Sequence, residues 1–140
     1  MTALTLSRCD VVKHFDDDGP LTVKSGEDIS NRRGKYLRVD ATNGKAMLGN
    51  ATSTGELGNL NGVAVSNQKH TGDSVTLLRH GLMDWGTALD AMDYGAPIYV
   101  SDTDGVFADS AGSTSKVAGR VFPVFEDNGD VKKLALIDLR

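Results

Sequence analysis

The sequence predicts a mainly β protein: a small β-barrel or β-sandwich with one short helix and an extended N-terminal arm. Three observations carry this expectation. Between Gly62 and Phe122, short apolar runs alternate with glycine-centred turns at near-regular spacing, which is how a compact all-β domain is written. No segment holds a helical apolar period long enough for a long helix. Sixteen glycines against three prolines, with 24% charged residues, suit a turn-rich β chain rather than a disordered one. A chain of 140 residues can bury one core without disulfides or metal. The expected division is an arm over residues 1–26 and a single β domain over residues 27–140.

Residues 1–26 spread Leu4, Leu6, Val11, Val12 and Phe15 among polar residues, and Asp16-Asp17-Asp18-Gly19-Pro20 then interrupts any regular element. Such a segment can add a strand to a neighbour's sheet edge or lie in a partner's groove. It can equally be an ordinary first strand of the same domain. As an arm, its five apolar residues are the candidate contacts with a partner or a neighbouring subunit, and removing residues 1–15 is expected to leave the melting of the isolated protein nearly unchanged.

In Tyr36-Leu37-Arg38-Val39-Asp40-Ala41, alternation places Leu37, Val39 and Ala41 on one face. Asn43-Gly44 suits a type I′ turn, with Ala46-Met47-Leu48 returning as the hairpin partner. Gly49 to Asn61 reads as a surface loop. Val63-Ala64-Val65 leads by a turn at Thr71-Gly72-Asp73 into Ser74 to Leu78, where Val75 and Leu77 share a face, and His80-Gly81 breaks that strand. Leu82-Met83-Asp84-Trp85 is a short apolar piece. Thr87 is expected to cap a brief helix through Met92, which Gly95 ends in the left-handed conformation. Ala96 to Val100 is a strand that Asp102-Thr103-Asp104-Gly105 turns back into Val106-Phe107-Ala108. Lys116 to Phe125 is a longer strand in which Gly119 and Pro123 signal a bulge or an edge. Glu126 to Asp130 is a hairpin turn into Val131 to Leu139, whose run Leu134-Ala135-Leu136-Ile137 marks a central, doubly covered strand.

The charge pattern and the chemistry-bearing residues narrow the function. A net charge of −4 and a pI near 5.2 oppose nucleic acid, which requires clustered Lys and Arg. No membrane span or signal peptide is legible, so a soluble chain made inside the cell is expected. Cys9 is the only cysteine and lacks a reactive-thiol setting. His14, His70 and His80 have no partner at metal-ligand spacing. The Asp-Gly segments at 16–19 and 102–105 lack the glutamate of a calcium loop, and turn chemistry accounts for both. No nucleophile elbow, Walker loop or dinucleotide fingerprint occurs. Neither catalytic residues, metal ligands nor a cofactor are therefore expected. Met83, Trp85 and Tyr94 are a candidate contact surface, weighed against the core-anchor role more usual for a lone tryptophan.

The order Gly62-Val63-Ala64-Val65, Val75 to Leu78, Gly81-Leu82, an alanine-rich helical turn, Gly95-Ala96-Pro97-Ile98-Tyr99-Val100 and Ala118-Gly119-Arg120-Val121 resembles the capsid decoration (cement) proteins of tailed bacteriophages. The resemblance covers about residues 62–140. It implies a non-enzymatic virion protein, made in the host cytoplasm, that binds the major capsid protein on the outside of the expanded head, often as a homotrimer, and stiffens the shell. Two other structural classes use such a scaffold: a tail or baseplate module, and a carbohydrate-binding domain. An exposed aromatic platform around Trp85 would favour the sugar binder; a buried Trp85 with an extended N-terminus would favour the cement protein. A small hydrolase would need a cleft holding His14 or His80 beside a carboxylate.

Overall fold

A computed structural model describes residues 3–15, 21–27, 33–52, 60–66 and 71–139. The expected β class is found, as two sheets. The strands are β1 (Asp10–His14), β2 (Leu21–Lys24), β3 (Tyr36–Val39), β4 (Ala46–Leu48), β5 (Asn61–Ala64), β6 (Ser74–Leu78), β7 (His80–Asp84), β8 (Pro97–Val100), β9 (Phe107–Ala108), β10 (Val117–Phe125) and β11 (Val131–Asp138). One sheet has the order β1-β7-β11-β10-β8-β9 and the other β2-β6-β5-β3-β4, and all their ladders are antiparallel.

Two separate apolar interiors explain why adjacent residues in several strands are both buried. The main core lies between the sheets and joins Tyr36, Val63 and Leu78 to Met83, Trp85, Ile98, Phe107 and Ile137. A second cluster, Leu37, Ala46, Ala64, Val75 and Leu77, occupies the other face of the five-stranded sheet. That sheet is not a closed barrel, but its two edges meet where Ser25 bridges Ala46 and the Gly26 N–H donates to the Ala46 carbonyl at 2.8 Å. Val75 and Leu77 share a face as alternation predicts, and both enter the second cluster.

The chain changes sheets at Arg79, the one residue between β6 and β7. Its guanidinium donates to the carbonyls of Asn61 and Leu139, both at 3.1 Å, which ties β5 of one sheet to the end of β11 in the other. The break expected at His80-Gly81 is therefore a handover, and both residues start the next strand. Gly81 is required there because a Cβ would collide with the Lys13 carbonyl of β1.

β11 is central, flanked by β7 and β10, as its apolar run predicts, but it is not covered on both faces: Ala135 and Ile137 enter the main core, whereas Leu136 lines a surface depression. The register of β10 against β8 shifts between Val117 and Gly119, so the bulge expected at Gly119 is present; a Cβ on Gly119 would strike the Leu136 carbonyl. Pro123 pairs with Lys133 of β11 but lies beyond the reach of β8, whose ladder stops at Arg120. Its missing N–H is thus placed where no ladder bond is needed. The turns at Gly72, Gly105 and Gly129 form at the expected places, each with a positive φ.

Four local expectations are corrected. The β3–β4 connection is a four-residue loop, closed by the Asp40 N–H on the Lys45 carbonyl at 2.9 Å and the Gly44 N–H on the Asp40 carbonyl at 2.9 Å. The Asp40 carboxylate accepts from the N–H groups of Thr42 and Asn43 at 2.8 and 3.1 Å, and this Asx chemistry wins over a two-residue turn at Asn43-Gly44. The brief helix is a single 3-10 turn, Gly86–Leu89, with Trp85 at the N-cap position and no side-chain cap. Gly86, at φ 67°, starts it ahead of Thr87, whose N–H donates to Ser7 Oγ at 2.9 Å. Gly95 has φ 82° but follows the helix by several residues. At the start of the expected surface loop, Gly49, Asn50 and Ala51 are buried, while residues 53–59 lie outside the described residues.

Of the two readings of the N-terminal segment, the pairing follows the second: the segment runs along its own domain. Ala3 bridges Ala108 of β9, and the Leu4 N–H donates to the Phe107 carbonyl at 2.9 Å. β1 pairs with β7 on the opposite edge of the same sheet, and β2 pairs with β6 in the other sheet. Spaced apolar residues that cannot form a core alone here complete two sheets whose edges would otherwise be open. The Asp16 to Pro20 interruption lies outside the described residues.

Candidate interaction surface

The residues expected to make contacts divide by burial. Leu4, Leu6 and Val11 are half-buried and pack against the main core, together with Cys9. Val12 and Phe15 face outward, at 53% and 37% exposure. Val12 is the extra residue of a bulge, because the register steps from Val11↔Met83 to Lys13↔Leu82. The Phe15 ring packs on His80 at 5.1 Å between centroids, with the Lys13 ammonium 5.4 Å from it. Bulges and charged residues on an edge strand discourage further strand pairing.

Met83 and Trp85 are fully buried, which corrects their place in the expected contact surface. β7 carries Met83 between β1 and β11, where it faces the main core, and the Trp85 ring packs 4.9 Å from Phe107. No aromatic platform forms around Trp85. Of that trio only Tyr94 reaches the surface, at 47% exposure.

Tyr94 has neighbours that the sequence reading passed over. Its hydroxyl donates to the Val131 carbonyl at 3.4 Å. Val131 pairs across the hairpin with Phe125, and these two are 42% and 78% exposed. They flank the Glu126–Asp130 turn, where the Glu126 N–H meets the Asp130 carbonyl at 2.8 Å and the Gly129 N–H meets the Glu126 carbonyl at 2.9 Å. Two apolar residues facing each other across the mouth of an acidic turn were the legible signal. Asp90, Glu126 and Asp130 line the same shallow depression as Tyr94 and Val131. Lys132 and Lys133 line it too, with their ammonium groups engaged. Lys133 donates to the carbonyls of Asp90 and Met92 at 3.2 and 2.6 Å and sits 5.2 Å from the Tyr94 ring centre. Lys132 reaches the Asp84 carboxylate at 2.7 Å.

Asp84 is the buried charge under this end of the sheet. Besides Lys132 it accepts from Arg8 at 3.0 Å and from the Gly86 N–H at 2.9 Å. Burial pushes its carboxyl up, but the bonds from Lys132, Gly86 and Arg8 outweigh that and hold it below the ordinary carboxylate value. Its stabilising effect is therefore present above the unfolded carboxyl pKa, about 3.9, and is lost as pH falls through the lower folded value. Asp84→Asn is expected to cost about 1–3 kcal/mol at pH 7, with the difference from the parent shrinking below about pH 4. Melting curves from pH 3 to pH 7 check this; a gap independent of pH would mean that the charge contributes nothing.

Of the remaining chemistry-bearing residues, His14 lines an open surface depression together with Asp10, while Cys9, Asp102 and Asp104 belong to local structure. Burial pushes the Cys9 thiol up to about 11, so at neutral pH it is not a nucleophile. Asp102 accepts from the Ser113 N–H and hydroxyl at 2.7 and 2.8 Å, and Asp104 accepts from the Asn50 amide at 2.6 Å. Among the described residues no group of His, Cys, Asp and Glu is arranged to hold a metal ion. No family model matches the sequence, and no curated protein matches it.

Proposed function

We propose that the protein is a structural binding module, a capsid decoration protein that attaches to the outer surface of an expanded phage head and stabilises it, acting as a homotrimer without cofactor. The carrying observation is the exposed apolar group Tyr94, Phe125 and Val131 at one hairpin tip of a β scaffold. An exposed apolar group rimmed by polar residues is a common mark of a protein interaction site. The resemblance of residues 62–140 to decoration proteins supplies the kind of partner. The sugar-binding alternative relied on an exposed platform around Trp85, which is buried.

The test is to add the purified protein to expanded, undecorated heads of the phage that encodes it, then to image the particles and heat them. The expected result is discrete outer density at symmetric positions and delayed loss of DNA. Mass measurement before and after binding should give a trimer in at least the bound form. Heads that stay bare at saturating protein would sink the capsid reading; monomers at both stages would sink the trimer.

A further inference from the structure

We infer that the β10–β11 hairpin tip docks onto a protein surface with an apolar centre and a rim of lysine and arginine. The inference rests on the binding-module reading and gives the partner's chemistry at that face. Phe125 and Val131 form an exposed cross-strand pair, and the Tyr94 hydroxyl holds its ring against the same strand. A fixed aromatic beside an exposed cross-strand pair loses little freedom on binding, so apolar burial there is retained as affinity.

The rim decides the partner's charge. Asp90, Glu126 and Asp130 line the depression with Tyr94 and Val131, as do Lys132 and Lys133, and among the described residues none of these three carboxylates forms an ion pair. Asp130 accepts only from the neutral Asn128 amide, at 3.0 Å. Both nearby lysines are committed, Lys132 to Asp84 and Lys133 to backbone carbonyls. A neutral apolar partner would strip water from these carboxylates without compensation, and the same face of a second copy would oppose like charges. Cationic groups around an apolar centre meet both requirements. Strand addition is not the mode, since Pro123 has no N–H to offer on the β10 edge beyond Arg120.

Two arms test this. In the first, a peptide of alternating leucine and lysine, and one of leucine and glutamate, are titrated into the labelled protein and followed by NMR. The lysine peptide should shift the signals of Tyr94, Phe125 and Val131, lose affinity in high salt, and fail to bind Glu126→Lys/Asp130→Lys; the glutamate peptide should shift nothing there. Equal binding of both peptides, or shifts confined to β1, overturns the inference. In the second arm, Phe125→Ser and the double lysine variant are compared with the parent on expanded heads, with melting curves to show that each is folded. Affinity should fall roughly tenfold or more, and photo-crosslinking from position 125 should recover a Lys- or Arg-bearing shell segment. Undiminished occupancy, or crosslinks to a second copy, overturns the docking face. Bare heads with the parent protein, alongside the expected peptide result, overturn the capsid reading alone.

Discussion

Deleting residues 1–15 is expected to lower the melting temperature of the isolated protein by about 10 °C or more. The segment holds one outer strand of the six-stranded sheet, β1, which pairs with β7, and reaches the other through the bridge from Ala3 to β9. Its loss removes Leu4, Leu6, Cys9 and Val11 from the wall of the main core. At about 1 kcal/mol for each half-buried side chain, that is about 4 kcal/mol, set against a typical total of about 5–15 kcal/mol. The β1 ladder and the Arg8–Asp84 pair offset the entropy of holding the segment in place, so burial is the net term. Deletion also bares the edge of β7 and leaves Asp84 with one cationic partner fewer, which favours aggregation as well as unfolding. Calorimetry of the intact and shortened chains measures the effect. An unchanged transition would mean that these residues do not stabilise the domain and are a free arm.

Trp85→Ala should be the most damaging single substitution, at about 3–5 kcal/mol. Trp85 is fully enclosed, lies against Phe107, and immediately precedes the turn that carries Leu89 into the core, so truncation opens a cavity in the main core. Trp85→Phe should cost less, since it keeps a ring against Phe107 and gives up an indole N–H that no described group accepts. Tyr94→Ala, at 47% exposure, should change stability by about 0.5 kcal/mol or less. Denaturant titration ranks the three. Trp85 is the only tryptophan, and its emission in the parent should be blue-shifted and move red on unfolding. A Trp85→Ala protein as stable as Tyr94→Ala would contradict the core assignment.

What the sequence determined by itself is what a few neighbouring residues settle. Gly72, Gly105 and Gly129 take positive φ because that freedom is written into the residue. The β10–β11 hairpin follows from Asn128-Gly129 between two apolar runs, and the central place of β11 from a stretch without a polar face. The β-sheet class needed nothing more than this punctuation. Tertiary structure decided which surfaces meet. Spaced apolar residues over 4–15 indicate that the segment needs a sheet, but not whose sheet; the answer lies in pairing with residues 67 to 105 positions later, at β7 and β9. Met83, Trp85 and Tyr94 look alike as apolar neighbours, yet β7 takes the first into the main core, the second is buried just after it, and the third is left outside. The tip formed by Tyr94, Phe125 and Val131 is likewise assembled from two segments that only the sheet brings together. Turn geometry is local and reads from residue type, whereas burial and edge pairing are non-local, so the same residues serve as core or as contact according to what folds against them.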